Sequence, residues 1–258
     1  MPAELRVDLA LLTGFLVVLA RLSLLFVLAP LPALHQGSLT ARLTLAVAVS
    51  VVLFPLWPRV ATPLTLSQLL ALLLPEVTLG LTLALATACI LEAFSVAGQL
   101  LALQAGYAYA VTIDPTSEAD AGVLPTLLHL GAALVALSLG LDARLFRALA
   151  RSLETIPPGA YLLTPPTGEA IIQLLSLIFS VALSFALPLI GLLLLLDLAL
   201  ALMGRLSPQL QLLALAFPAK MAVALWMLVL LASLLGQVCA RTIDHVWPSL
   251  LRLIELRV

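Results

Sequence analysis

The sequence predicts an all-α, polytopic helical membrane protein built from long kinked helical hairpins. Three observations carry this: an apolar composition, apolar blocks of spanning length or longer, and no strand-like alternation. Of the 258 residues, 63% are hydrophobic and only 10% charged, against about 25% charged in soluble domains, so the chain belongs in a bilayer. Hydrocarbon offers a backbone no hydrogen-bond partner, which leaves helices or closed barrels. The apolar runs are continuous rather than alternating, which argues against barrel strands. A net charge of -1 supplies no basic field for nucleic acid.

The blocks follow one another in order. Residues 9–29 form the first, closed by Ala29-Pro30-Leu31-Pro32, where proline removes donors and disfavours helix in the residue before it. The second is 39–54, ending in FPLWP. The third runs from Leu66 to Tyr109, and as one helix would measure roughly 60 Å or more, about twice a bilayer core. The fourth, 123–141, leads into the amphipathic stretch ARLFRALARSLETIPPG at 143–159. The fifth is 170–203, with Pro188 in its middle, and the sixth is 212–236, followed by an amphipathic tail from Gln237 to Val258. Blocks three and five are too long for plain spans, so they are either broken hairpins or do not cross the membrane in the ordinary way. No short-period repeat or linker divides the chain, and we read 1–258 as a single membrane domain. The opening residues carry Glu4, Arg6 and Asp8 before a long apolar run, so they read as a retained first helix rather than a signal peptide.

With six crossings, Arg6, Arg59, Arg144, Arg147, Arg151, Arg241, Arg252 and Arg257 fall on one side, and Arg42, Arg205 and the acidic 110–122 stretch on the other. The positive-inside rule then places both termini in the cytoplasm. Five charges remain inside the blocks: Arg21, Glu76, Glu92, Asp197 and Lys220. Each would cost ~2.5–3.5 kcal/mol near the bilayer centre, so they must face protein, water or each other. Gly80, Ala84, Ala88 and Glu92 recur every four residues, a small-residue ridge that lets a helix approach closely. Gln99 and Gly106 continue it at intervals of seven. The partner of this stripe lies either within the chain or in another one. A proton or ion relay in a small-solute secondary transporter is a further reading, with Pro75, Pro188 and Pro218 as helix breaks beside Glu76, Asp197 and Lys220. A purely structural scaffold is a third.

Enzymatic chemistry finds no footing. The sequence has no phosphate-cradling glycine motif, no His-x-x-x-His and no G-x-S-x-G elbow. His35, His129 and His245 are scattered, and Cys89 and Cys239 read as packing residues. No catalytic residue, metal site or cofactor is expected.

The polar landmarks form an ordered set: ARLSLLFVLAP (20–30), PEVTLGLTLALA (75–86), AFSVAGQLLALQAGYAYAVTIDP (93–115), RSLETIPPG (151–159), FALPLIG (185–191) and GRLSPQLQLLALAFPAKMAVAL (204–225). This set resembles the FliR family of flagellar export-gate subunits, whose injectisome counterpart is the SctT family. Two runs carry most of it: Ala97-Gly98-Gln99 with Gln104, Gly106 and Asp114-Pro115, and Arg205 with Pro208, Gln209 and Lys220. Two departures stand out. Gln211 occupies a position where the family often has Asn, and LGLDARLF (139–146) replaces a stretch that often holds Gly-His.

The resemblance implies a non-enzymatic subunit of the bacterial inner membrane, in the export apparatus of the flagellar basal body. Its implied partners are FliP-like and FliQ-like subunits, which build the channel with it, and FlhB-like and FlhA-like export proteins. Unfolded export substrates pass in transit. It implies a FliP-like part at about 1–160 and a FliQ-like part at about 169–236. Arg21, Glu76, Glu92, Gln99, Gln104, Asp197 and Lys220 are then expected as subunit contacts, and Arg205, Pro208 and Gln209 as a helix break. By position, the family's channel plug corresponds to Tyr109, Thr112, Ile113, Asp114, Pro115, Thr116, Ser117, Glu118, Asp120 and Gly122. Small, hydroxyl and acidic residues suit that task, since an apolar plug would stick to unfolded cargo.

Overall fold

The computed structural model describes residues 9–28, 38–58, 60, 64–107, 122–161, 165–206 and 212–255. Among them every regular element is a helix: α1 (Leu9–Leu28), α2 (Leu39–Val52), a 3-10 turn (Phe54–Leu56), α3 (Leu66–Ala105), α4 (Val123–Ser138), α5 (Leu141–Thr155), α6 (Pro165–Leu206) and α7 (Leu212–Glu255). Stretches of α1, α3, α6 and α7 are long and apolar enough to cross a membrane, and α4 with α5 makes a fifth if that pair is one broken span. The chain is an all-helical, multi-pass membrane protein.

The long blocks are not cut into hairpins at their prolines. α3 continues through Pro75 and α6 through Pro188. A membrane helix tolerates the lost N–H because neighbouring groups and small local adjustments satisfy the freed carbonyl. The sixth block and the amphipathic tail from Gln237 form one helix, α7, which runs on to Glu255. Cys239, Thr242, Ile243, Val246 and Leu250 are buried while Arg241, Asp244 and His245 are exposed. The apolar stripe therefore keeps helical period past the first charges.

The chain divides into two compact units. The first holds Met1–Ala88, Gly140–Leu174 and His245–Val258. Its core is Val18, Leu22, Leu25 and Phe26 of α1, Leu79 and Leu83 of α3, and Leu145 and Leu149 of α5. α2 packs on α1, and Arg42 donates from Nη1 to the Val27 carbonyl at 2.8 Å, so a cation answers the carbonyl end of α1. Beyond α2, the Trp57 indole donates to the Ser50 carbonyl at 2.8 Å and its ring lies 5.2 Å from Phe15.

The second unit holds Cys89–Leu139 and Leu175–Asp244. Its interior is dominated by small side chains (Ala97, Ala102, Ala105, Ala132, Ala133, Ala136, Ala182) around Phe94 and Phe185, whose rings meet edge-on at 5.8 Å. Small residues let helices approach closely where no hydrophobic force drives them together. A Cβ at Gly98 would fall 2.5 Å from Pro125 Cα, so the glycine of the Ala-Gly-Gln run is what admits α4. Cys89 and Cys239 are both buried and unbridged.

Candidate functional site

Arg21 and Glu76 are 1% and 0% exposed and lie on α1 and α3 of the first unit. Arg21 donates from Nε to Glu76 Oε2 at 2.7 Å, and its Nη2 stands 2.6 Å from the same oxygen. The other carboxylate oxygen, Oε1, accepts the backbone N–H of Gly159 at 2.9 Å. Arg21 Nη1 donates to Ser152 Oγ at 3.1 Å, and the Ser152 hydroxyl passes its own proton to the Leu149 carbonyl at 2.7 Å. Charge-assisted bonds of this kind help offset the desolvation of both ions, and here each guanidinium nitrogen and each carboxylate oxygen has a partner.

Arg21 and Glu76, expected as subunit contacts, thus answer each other within this chain, and neither side chain is left at its surface. Gly80 explains how the helices come close enough. A Cβ there would collide with the Arg21 carbonyl oxygen, so α1 lies directly on α3 at that turn. The ridge therefore finds its partner inside the chain at Gly80. Steps of four residues advance ~40° around a helix, so Glu92 sits roughly 120° away on another face. The sequence reading did not single out Ser152, Gly159, Thr82 or Tyr161. Thr82 and Tyr161 share a hydroxyl hydrogen bond of 3.2 Å, and burial pushes the Tyr161 phenol up in pKa while that bond pulls it down. The Pro157-Pro158-Gly159 turn was the available signal.

In the second unit Gln104, Asp197 and Lys220 come together. Lys220 Nζ pairs with Asp197 Oδ1, and the Gln104 amide donates to Asp197 Oδ2 at 3.2 Å. Asp197 lies near the end of α6 and Lys220 near the start of α7, so the ion pair ties the two arms of a hairpin. Asp197 keeps 37% of its side chain exposed and Lys220 16%. Beside them Ala105, Leu193 and Ala224 form a small apolar cluster that seats Tyr107 and Val223. Here α3 ends. Gly106 adopts φ +87°, its N–H bonds the Leu103 carbonyl, and the Tyr107 N–H bonds the Ala102 carbonyl at 3.0 Å. That is a left-handed glycine cap, a conformation that side chains with a Cβ resist.

Glu92 is half-buried and Gln99 exposed, and among the described residues no hydrogen bond or ion pair reaches either. Arg205 is exposed in the last turn of α6. Pro208 and Gln209 lie outside the described residues, with α6 ending at Leu206 and α7 starting at Leu212. The plug positions Tyr109, Thr112, Ile113, Asp114, Pro115, Thr116, Ser117, Glu118 and Asp120 also lie outside them. Gly122 is the residue from which α4 starts.

Comparison with known proteins shows a match of residues 12–246 to the family described as "Bacterial export proteins, family 1". The flagellar biosynthetic protein FliR of Escherichia coli (strain K12) is 32% identical over 163 residues, 63% of this chain and 62% of that protein. FliR of Pectobacterium carotovorum subsp. carotovorum is 29% identical over 209 residues, 81% of this chain and 80% of the relative. FliR of Buchnera aphidicola subsp. Acyrthosiphon pisum (strain APS) is 25% identical over 134 residues, 52% of each chain. The matched stretch thus spans less than two thirds of the E. coli and Buchnera relatives.

Proposed function

The chain belongs to family 1 of the bacterial export proteins, the FliR family, and from that premise we propose that it is a non-enzymatic subunit of the flagellar type III protein export gate. In this reading it sits in the bacterial inner membrane, within the export apparatus of the flagellar basal body, with its C-terminus in the cytoplasm. FliP-like and FliQ-like subunits complete the channel around it, and FlhB-like and FlhA-like proteins adjoin it. The observation that carries the reading is the family match, which covers most of the chain. The flagellar names of the relatives favour a flagellum over an injectisome.

The physical pattern supports a subunit rather than a solitary carrier. Only 28% of the spanning part of α6 and 22% of that of α7 is buried, against 44% for α3. Broad apolar flanks on α6 and α7 are therefore left for lipid or neighbours. A proton relay through Arg21 and Glu76 would need solvent access, which the sealed pair does not have. In the gate reading, residues 109–122 serve as the channel plug, the chain divides into a FliP-like part at about 1–160 and a FliQ-like part at about 169–236, and Asp197 and Gln99 offer surface to neighbouring subunits.

The test is loss and repair of export. Deleting the gene should abolish release of flagellar proteins into the medium, and restoring it should recover that release. Shortening 110–122 should keep assembly yet let small ions leak through resting cells. Normal export in the deletion strain would overturn the gate assignment, and an ion-tight shortened variant would overturn the plug.

A further inference from the structure

We propose that the outward face of α3 at Glu92, Ser95 and Gln99 is the seat of a membrane helix from a different polypeptide, one that presents a lysine or arginine to Glu92. The inference rests on, and deepens, the reading of the chain as one subunit of a hetero-oligomeric gate.

The three residues are spaced by three and four, which puts them on one side of the helix over roughly 10 Å. Glu92 and Ser95 are half-buried and Gln99 is exposed. Around them the surface is hydrocarbon, with Val96 and Leu100 half-buried and Leu103 64% exposed. Among the described residues none of the three polar groups has a hydrogen bond or an ion pair. The Ser95 hydroxyl does not fold back onto a carbonyl of its own helix, as those of Thr87, Ser180 and Ser184 do, and so is left for a partner.

A carboxylate on such a face cannot rest against lipid without neutralising or finding a counter-charge. The sign of that counter-charge fixes the partner chemistry. Within its own apolar helices this chain commits Arg21 to Glu76 and Lys220 to Asp197. A second copy is a poor occupant, because a two-fold contact along this face sets Glu92 against Glu92. The occupant is therefore a foreign helix carrying a cation, with donors or acceptors within one or two turns of it for Ser95 and Gln99.

The experiment purifies the tagged full-length chain in mild detergent from cells making the whole apparatus, as wild type, Glu92→Gln and Glu92→Lys. The quantity read is partner protein recovered per tagged chain. Wild type tests the underlying reading, since a solitary wild-type chain overturns the gate assignment itself. With a wild-type complex in hand, Glu92→Gln should lower recovery about threefold and Glu92→Lys roughly tenfold or more. If Glu92→Lys does not accumulate, the near-isosteric Glu92→Gln decides alone. Suppressors of Glu92→Lys should convert a lysine or arginine in another subunit's membrane helix to an acidic residue. A benzophenone side chain at Val96 should cross-link to that same helix. Undiminished recovery in Glu92→Gln, or cross-links that reach only lipid or a second copy, would overturn the seat.

Discussion

Two ionic sites in this molecule are built to opposite rules. The Arg21–Glu76 pair of the first unit is sealed, and its satisfied atoms include a backbone N–H and a serine hydroxyl. The Asp197–Lys220 pair of the second unit is held by one amide and leaves 37% of its carboxylate side chain open. The first kind of site fixes how a chain folds, because three segments must converge before both charges can leave water. The second kind can be formed by a hairpin alone and still has surface to give to something else. Glu92 extends the contrast to its limit, being half-buried with no partner among the described residues.

The strongest way to break this contrast is to remove one member of the sealed pair. Glu76→Ala leaves a guanidinium buried without its counter-charge and should cost about 3–5 kcal/mol. Thermal aggregation of the purified chain would register this as a large loss of stability or as failure to accumulate. The double replacement Arg21→Met with Glu76→Met should recover much of the loss, since an apolar pair of similar size is often as stable as the ions. If the single and double variants are equally damaged, the site does not work as a charge pair.

A smaller effect is expected at Gly80, where a Cβ meets the Arg21 carbonyl. Gly80→Ala should cost about 1–3 kcal/mol, typical of overpacking, read in the same assay. Ser152→Ala removes an acceptor from the sealed guanidinium and should cost ~1–2 kcal/mol, with a stability like the wild type's counting against the network. Lys220→Met sits last. Its partner is more than a third exposed, so the change should be about 1 kcal/mol or less. Raising salt should weaken that pair in the wild type and leave the sealed pair untouched.

The helices were legible because a backbone in hydrocarbon must satisfy itself, and apolar runs mark where it does so. Their continuity was less legible. Pro75 and Pro188 look like punctuation, yet α3 and α6 run past them because lost donors are tolerated on long packed helices. The sequence also flagged every charge that matters without saying which charge answers which. Arg21 and Glu76 are 55 residues apart, and periodicity sets the face of each helix but not the neighbour it finds. Gly80 carried a hint, since only a glycine lets α1 come so near. The Pro157-Pro158-Gly159 turn marked a chain reversal without saying what its N–H would meet, and Ser152 looks like any other helical serine.

The central claim is that sealed charges serve this chain's own fold while Glu92 serves another's. It is tested most directly by the thermal midpoint of the full-length chain alone in mild detergent, for Glu76→Gln and Glu92→Gln side by side. The account predicts a clear fall for Glu76→Gln and a midpoint equal to wild type for Glu92→Gln. A fall of similar size in both variants would contradict it, by showing that the outward carboxylate supports the isolated chain after all.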